Sequence, residues 1–142
     1  MKQSLFDAVG GLPAMERIHK RFYDDVYAHP WLGQFFAGHD QKAIELRQTQ
    51  FMAVKMGAEI KYPGRSLEIA HERMYITTEL LEVMQELLKQ AIEAEGVAPE
   101  LVKRWLKVDK AFWGKLKNES IEEFRKIDLQ YQKPLIVEKP EV

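Results

Sequence analysis

Apolar residues recur every three or four positions along almost the whole chain, which is the spacing of helices that each bury one face. In the first long segment the apolar positions are Met15, Ile18, Phe22 and Val26. No stretch alternates apolar and polar residues in the way that a half-buried strand does. The pattern therefore predicts an all-α fold.

Capping residues, glycines and prolines give the predicted ends of the helices. Ser4, Asp40 and either Thr77 or Thr78 are suited to cap a helix N-terminus, and Pro99 suits a first turn. An aromatic turn is expected over residues 31–36 and a loop over residues 58–65. The predicted helices cover residues 4–11, 13–29, 40–57, 66–74, 77–96 and 99–116.

The periodic pattern weakens after residue 117. Ser120 and Glu123 form a capping-box pattern before a weaker amphipathic segment, and the final PLIVEKPEV contains two prolines. We therefore predict one domain over residues 1–117 and a C-terminal extension over residues 118–142, made of a short helix and an extended tail.

Composition and charge exclude several classes of function. The chain has 142 residues, and its 21 basic and 22 acidic side chains give a net charge of −1, which provides no electrostatic case for nucleic-acid binding. The absence of cysteine excludes thiolate metal sites, disulfides and covalent c-type haem attachment, and it suits the cytoplasm. No apolar run reaches the roughly 20 residues of a membrane helix, so no membrane partner is expected.

Two Glu-x-x-His pairs raise the possibility of a di-iron site. They are Glu16 with His19 and Glu68 with His71, and this spacing places both side chains on one helix face. Carboxylate-bridged di-iron bundles also need an inward Glu from each of two further helices. The apolar faces over 80–92 and 101–116 contain no Glu, so this alternative is the least favoured.

His71 lies on the apolar side of its short predicted helix, behind the Pro63-Gly64 loop. One interpretation is a half-buried core histidine with a single hydrogen bond. The other is an axial metal ligand whose second ring nitrogen donates to a backbone carbonyl one turn back, such as that of Leu67.

Two polar residues lie in or beside apolar stripes. Gln48 falls between Ile44 and Phe51, and Tyr23 adjoins Phe22. A buried polar group without a partner costs about 1–3 kcal/mol. Either these two side chains satisfy each other or the backbone, or they line a pocket and offer donors to a ligand.

Taken in order, the motifs of this chain resemble those of the truncated haemoglobins, and most of all those of group I. The motifs keep their order over residues 4–117 and are LF with GG at 5–11, RFYDDV at 21–26, LGQFFAG at 32–38, RQTQF at 47–51 and YPGRSLEIAH at 62–71. The resemblance implies a two-over-two helical sandwich around haem b, in which the first globin helix is shortened.

The resemblance also implies roles for three polar residues. His71 matches the proximal histidine that binds the iron. Tyr23 and Gln48 match the distal residues that form a hydrogen-bond network with bound dioxygen. A phenol and an amide in a dry pocket suit this task, because they stabilise negative charge on a ligand by about 1.5–3 kcal/mol.

Other residues are expected near the haem on the same grounds. Phe36 matches a phenylalanine packed on the haem face, and Ile44 falls where many globins have a distal histidine. Arg47 and Tyr62 are expected near the haem propionates. The further side chains expected around the haem, the ligand or its tunnel are Phe22, Phe51, Met52, Leu67 and Met84.

The remaining polar candidates are expected to have no chemical role. His19 is expected to be structural or on the surface, and His29 and His39 to face solvent in loops. Asp109 is expected at the surface or an edge. Lys55 is expected to be solvated or near a propionate.

The resemblance implies reversible binding of dioxygen, and of NO or CO, at a histidine-ligated iron in the cytoplasm. Nitric oxide detoxification would need a separate reductase, and enzymatic activity and oligomeric state are left open. The alternative from another class is a cofactor-free helical interaction domain. That alternative accounts for the amphipathic helices but not for Tyr23, Gln48 and His71 all lying on or beside apolar faces.

Overall fold

The computed structural model describes residues 3–60, 74–118 and 135–137. The helices of these residues are α1 (Leu5–Ala8), α2 (Gly11–Ala28), α3 (Gly33–Phe36), α4 (Gln41–Lys55), α5 (Thr78–Ala94), α6 (Pro99–Lys110) and α7 (Trp113–Leu116). Within the same residues there is no strand, and a single isolated parallel bridge joins Met74 to Leu135. The prediction of an all-α fold is confirmed.

Among the helices that the structure describes, α2 has the most extensive contacts. It packs against α4 and α5, and α5 also packs against α6. The pairs α2–α4 and α5–α6 form the two layers of the sandwich, and the contact between α2 and α5 joins them. In the described part of the chain, no helix is long and apolar enough to cross a bilayer.

The core consists of the apolar stripes that the sequence pattern predicts. Met15, Ile18 and Val26 of α2 are fully buried, and Ile92 of α5 and Trp105 of α6 are buried with them. Burial of side chains of this size stabilises the fold by about 1.5–3 kcal/mol each.

The predicted N-terminal caps are confirmed. The side-chain oxygens of Ser4, Asp40 and Thr77 each accept a hydrogen bond from the backbone N–H three residues further on, at 3.1, 3.2 and 3.1 Å. Thr77, and not Thr78, caps α5.

Two predicted elements differ from the structure. The helix expected over residues 99–116 is interrupted after Lys110, where the backbone N–H of Phe112 donates to the carbonyl of Asp109, three residues earlier, at 3.2 Å. Such a tightened turn ends an α-helix, and α7 begins separately at Trp113. The aromatic turn over 31–36 contains the short helix α3. The helices expected over 66–74 and 121–131 fall almost entirely outside the described residues.

His19 is a buried structural residue at the junction of three helices. Its side chain is 1% exposed, and its Nδ1 lies 2.9 Å from the Thr49 Oγ1 of α4. Its ring meets the ring of Trp105 edge-on, with centroids 5.8 Å apart. The His19 Nε2 and the Trp105 Nε1 have no hydrogen-bond partner in the part of the chain described. Burial lowers the pKa of His19 to about 4, against the opposing effect of a hydrogen bond to the Met15 backbone.

The position of His19 predicts a pH-dependent stability. Its pKa of about 4 in the folded protein lies below the ordinary value of 6.5, so the unfolded chain binds the proton first as the pH falls. The stability is fully present above pH 6.5 and is lost towards pH 4, at up to about 1.4 kcal/mol per pH unit. Urea unfolding across this range measures the loss, and His19→Gln should reduce the slope. Equal slopes in the two proteins would contradict the prediction.

Gly33 predicts a second effect on stability, because it lies where α3 returns against the end of α2. A Cβ atom at this position would come 2.5 Å from the backbone carbonyl oxygen of Tyr27, which cannot move away by changing a rotamer. We expect Gly33→Ala to lower the free energy of unfolding by about 1–3 kcal/mol. Gly114→Ala is the matched control, because a Cβ there meets no described atom within 4 Å. Thermal unfolding of both variants tests the difference.

Candidate functional site

A cavity of about 230 Å³ lies among α2, α3, α4, α5 and the end of the α6–α7 region. Nine of the residues that the sequence analysis assigned to the site line this cavity. They are Phe22, Tyr23, Phe36, Ile44, Arg47, Gln48, Phe51, Met52 and Met84. Side chains that lie up to 62 positions apart in sequence therefore meet at one place.

The other three assigned residues are Tyr62, Leu67 and His71. All three lie outside the described residues. The roles given to them by the resemblance stay predictions.

Tyr23 presents a phenol to the cavity from the middle of α2. Its side chain is only 5% exposed, and its ring packs edge-on against those of Phe22 at 4.8 Å and Phe36 at 5.8 Å. Burial raises the pKa of the Tyr23 hydroxyl, and the charge of Asp109 adds to the effect. The phenol therefore stays protonated and keeps an O–H to donate.

Helix α4 supplies a second group of cavity residues, at the spacing that the sequence predicted. Ile44, Gln48 and Phe51 follow one another by four and three positions, and all three are half-buried along the cavity. Arg47 also lines the cavity but is exposed to solvent. The α4 wall is thus apolar except for one amide inside and one guanidinium at the edge.

The Tyr23 hydroxyl and the Gln48 amide make no hydrogen bond to each other or to any other described group. The interpretation in which these two side chains satisfy each other therefore does not hold for the described residues. Both residues line the cavity.

Asp109 corrects an expectation, because it lines the cavity instead of lying at the surface or an edge. The amide of Gln85 donates to its Oδ2 at 3.1 Å, and Trp113 donates a second hydrogen bond. Burial raises the pKa of the carboxyl group, and the two donors oppose this change. The signal was present in the sequence, since Asp109 follows the buried Trp105 by four positions and so shares its helix face.

The histidines outside the core have different environments. His39 is exposed, as expected, yet it also lines the cavity. His29 is half-buried, and its Nδ1 accepts hydrogen bonds from the backbone N–H groups of Trp31 and Leu32 at 3.1 and 3.2 Å. His29 is therefore a structural residue at the end of α2, and it is only partly exposed to solvent.

Lys55 is exposed and lies near two aromatic rings. Its Nζ is 5.6 Å from the ring centroid of Phe51 and 5.5 Å from that of Phe112. Contacts of this kind are cation–π interactions, so the side chain covers one edge of the cavity lining.

The described residues give no support to a di-iron centre, and the second Glu-x-x-His pair, Glu68 with His71, lies outside them. Glu16 is exposed whereas His19 is buried, so the first Glu-x-x-His pair does not converge on one site. Among residues 3–60, 74–118 and 135–137, no group of three or more His, Asp or Glu side chains could hold a metal ion.

The residues around the cavity fit a haem group. Phenylalanine, isoleucine and methionine side chains provide walls for an apolar macrocycle. The exposed Arg47 at the cavity edge suits the carboxylates that such a group carries. Tyr23 and Gln48, which have no hydrogen-bond partner among the described residues, add two polar groups to this lining.

Comparison with known proteins agrees with this fit. A sequence model of the bacterial-like globin family matches residues 4–118. The group 1 truncated hemoglobin of Mycolicibacterium paratuberculosis is 30% identical over 99 residues, which are 70% of this chain and 73% of that protein. The group 1 truncated hemoglobin of Tetrahymena pyriformis is 26% identical over 106 residues, which are 75% of this chain and 88% of that protein.

Comparison of the fold with solved structures also finds truncated hemoglobins. The crystal structure of the truncated hemoglobin from Tetrahymena pyriformis in the Fe(III) form superposes with a TM-score of 0.78 at 23% identity, covering 82% of this chain and 100% of that one. The architecture is accordingly that of a globin with two layers of helices.

Fold and family match together define a haem-binding globin. The chain belongs to the bacterial-like globin family and, within it, to the group 1 truncated haemoglobins. As a member of this family it carries haem b and binds small gas ligands such as dioxygen. The predictions of family, fold class and cofactor are confirmed, while the domain boundary at residue 117 stays a prediction.

Proposed function

We propose that this globin binds dioxygen reversibly at a haem iron held by His71, with Tyr23 and Gln48 as the donors to the ligand. The observation that carries the proposal is the phenol of Tyr23 and the amide of Gln48 in a largely apolar cavity, where neither has a hydrogen-bond partner among the described residues. When bound, haem b would supply an iron centre for a diatomic ligand, which would carry partial negative charge.

Tyr23 and Gln48 stabilise that charge by donating hydrogen bonds. Tyr23 offers one O–H, and Gln48 offers the two N–H groups of its amide. Apolar surroundings strengthen such bonds, because little water competes for the donors. Together the two side chains supply about 1.5–3 kcal/mol in favour of the negatively polarised ligand.

Neighbouring aromatic rings hold Tyr23 in place before any ligand arrives. Phe22 and Phe36 pack against two sides of its ring at 4.8 and 5.8 Å. The phenol therefore loses little side-chain freedom when it donates. Asp109 contributes by disfavouring the phenolate, which would be an acceptor and a competing iron ligand.

Ile44 and Arg47 complete the proposed site from α4. Ile44 is apolar at the position where many globins place a distal histidine, so the hydrogen bonding is left to Tyr23 and Gln48. Ile44 and the buried Met52 also keep water out of the cavity. Arg47, exposed at the cavity edge, is suited to pair with a haem propionate.

The same cavity suits nitric oxide and carbon monoxide, since both are diatomics of the size of dioxygen. We further propose that the protein detoxifies nitric oxide, a reaction that requires electrons from a separate reductase. A cytoplasmic location is part of this proposal, because reductases with soluble electron donors are available there.

The proposed donors predict a faster release of dioxygen when they are removed. We expect Tyr23→Phe combined with Gln48→Leu to speed dissociation roughly 10- to 100-fold, because each 1.4 kcal/mol is a factor of ten. Stopped-flow dissociation measures the rate. Tyr27→Phe is the matched control, since the Tyr27 hydroxyl donates to the His39 carbonyl at 3.2 Å and does not line the cavity. An unchanged rate in the double variant would refute the distal assignment.

The axial assignment predicts a spectroscopic change on loss of His71. We expect His71→Gly to lose the visible spectrum of a ferrous histidine-ligated haem, and added imidazole to restore it. His39→Gly is the control, because His39 is the histidine that lines the cavity among the described residues. If His39→Gly loses the spectrum and His71→Gly keeps it, the assignment of the ligand is wrong.

A further inference from the structure

The short backbone segment over residues 74–76 is held from the C-terminal side of the chain. The N–H of Ile76 donates to the Asn118 Oδ1 at 2.8 Å, and the N–H of Asn118 donates to the Ile76 carbonyl at 2.8 Å. The N–H of Tyr75 donates to the Leu135 carbonyl at 2.9 Å. All three hydrogen bonds reach this segment from residue 118 or beyond.

Residues 135–137 are tied to the body of the protein at both ends. Leu135 forms the bridge to Met74, and the carbonyl of Val137 accepts a hydrogen bond from the Trp31 indole Nε1 at 3.0 Å. Leu135 and Val137 pack against the hydrophobic core, whereas the intervening Ile136 is not among the side chains packed there. The alternation is that of an extended chain with one face on the protein.

This contact joins two regions next to the cavity. Met74 lines the cavity and follows His71 by three residues. Trp31, which is 6% exposed, comes two residues before α3, the helix that ends at the cavity residue Phe36. The family match ends at residue 118, so residues 135–137 lie beyond the part shared with the family.

We propose that residues 135–137 and Asn118 form a clamp on residues 74–76 that positions His71 as the axial ligand. The inference rests on the proposed function, in which His71 binds the iron. The clamp residues are positioning residues and touch neither haem nor ligand in this role.

The physical basis is the short connection between clamp and ligand. Only two residues separate His71 from Met74 in the sequence, so a fixed backbone at 74–76 limits the distance from it at which residue 71 can lie. Each hydrogen bond of this kind stabilises its segment to the extent that its loss changes an equilibrium about 2- to 10-fold. Releasing the clamp would therefore weaken the hold of His71 on the haem iron and shorten the time for which haem is retained.

Full-length variants test the clamp without deleting any part of the chain. Leu135→Asn with Val137→Asn removes the apolar anchoring, and Ile136→Asn is the matched control in the same segment. Trp31→Phe removes the indole donor but keeps an aromatic ring in the core. Asn118→Ala removes the side-chain acceptor, and Asn118→Asp restores an acceptor oxygen.

Three measurements test successive parts of the proposal. Amide hydrogen exchange of residues 74–76 in the haem-loaded protein measures the clamp itself. The iron–histidine stretching band of the ferrous protein measures the axial bond, and transfer of haem to excess apomyoglobin measures retention. In Leu135→Asn with Val137→Asn, in Trp31→Phe and in Asn118→Ala, we expect the rates of amide exchange and of haem loss to rise about 2- to 10-fold and the iron–histidine band to shift. We expect Ile136→Asn and Asn118→Asp to behave like the native protein.

Two results would overturn the proposal. One is unchanged exchange at 74–76 in both the double variant and Trp31→Phe, which would mean that no clamp acts. The other is faster exchange with an unchanged iron–histidine band and unchanged haem loss, which would leave a contact without a positioning role. A failure of His71 as the ligand would instead remove the iron–histidine band in His39→Gly but not in His71→Gly, whatever the clamp variants do.

Discussion

Burial of one face of α2 is the contact on which the rest of the molecule depends. Met15, Ile18 and Val26 are fully buried on this helix, which packs against α4 and α5, and both of these helices contribute side chains to the cavity wall. Tyr23 lies next to this buried stripe, so its direction follows from the packing of its neighbours. The same hydrophobic burial that stabilises the fold therefore also orients the phenol of Tyr23.

Much of the fold and of the candidate site could be predicted from the sequence, because helix ends and buried faces have local signals. Ser4, Asp40 and Thr77 cap helices as expected, and the α4 spacing brings Ile44, Gln48 and Phe51 to one wall. The roles of these residues came from the ordered motifs and not from periodicity, which indicates that a face is buried but not what it faces.

The same limit explains the misplaced residues. Asp109 shares a helix face with Trp105, but its charge led the sequence analysis to predict a surface position. The hydrogen bonds from Gln85 and Trp113, which lie elsewhere in the sequence or in the next helix, stabilise the carboxylate beside the cavity. The break between α6 and α7 has no proline or glycine to mark it, and the contact between residues 75 and 135 is too distant in sequence for any local pattern to indicate. Long-range hydrogen bonds are decided by tertiary packing alone.

The junction of His19, Thr49 and Trp105 has a consequence for the alignment of the helices. Apolar side chains tolerate sliding, since one leucine packs nearly as well as its neighbour, but the hydrogen bond between His19 and Thr49 exists in one register of α2 against α4. A slip of one turn would leave further buried polar atoms without partners, in addition to the His19 Nε2 and the Trp105 Nε1, which have none among the described residues. These polar atoms cost stability, and in return a misaligned sandwich is excluded among the compact states that the chain could otherwise adopt.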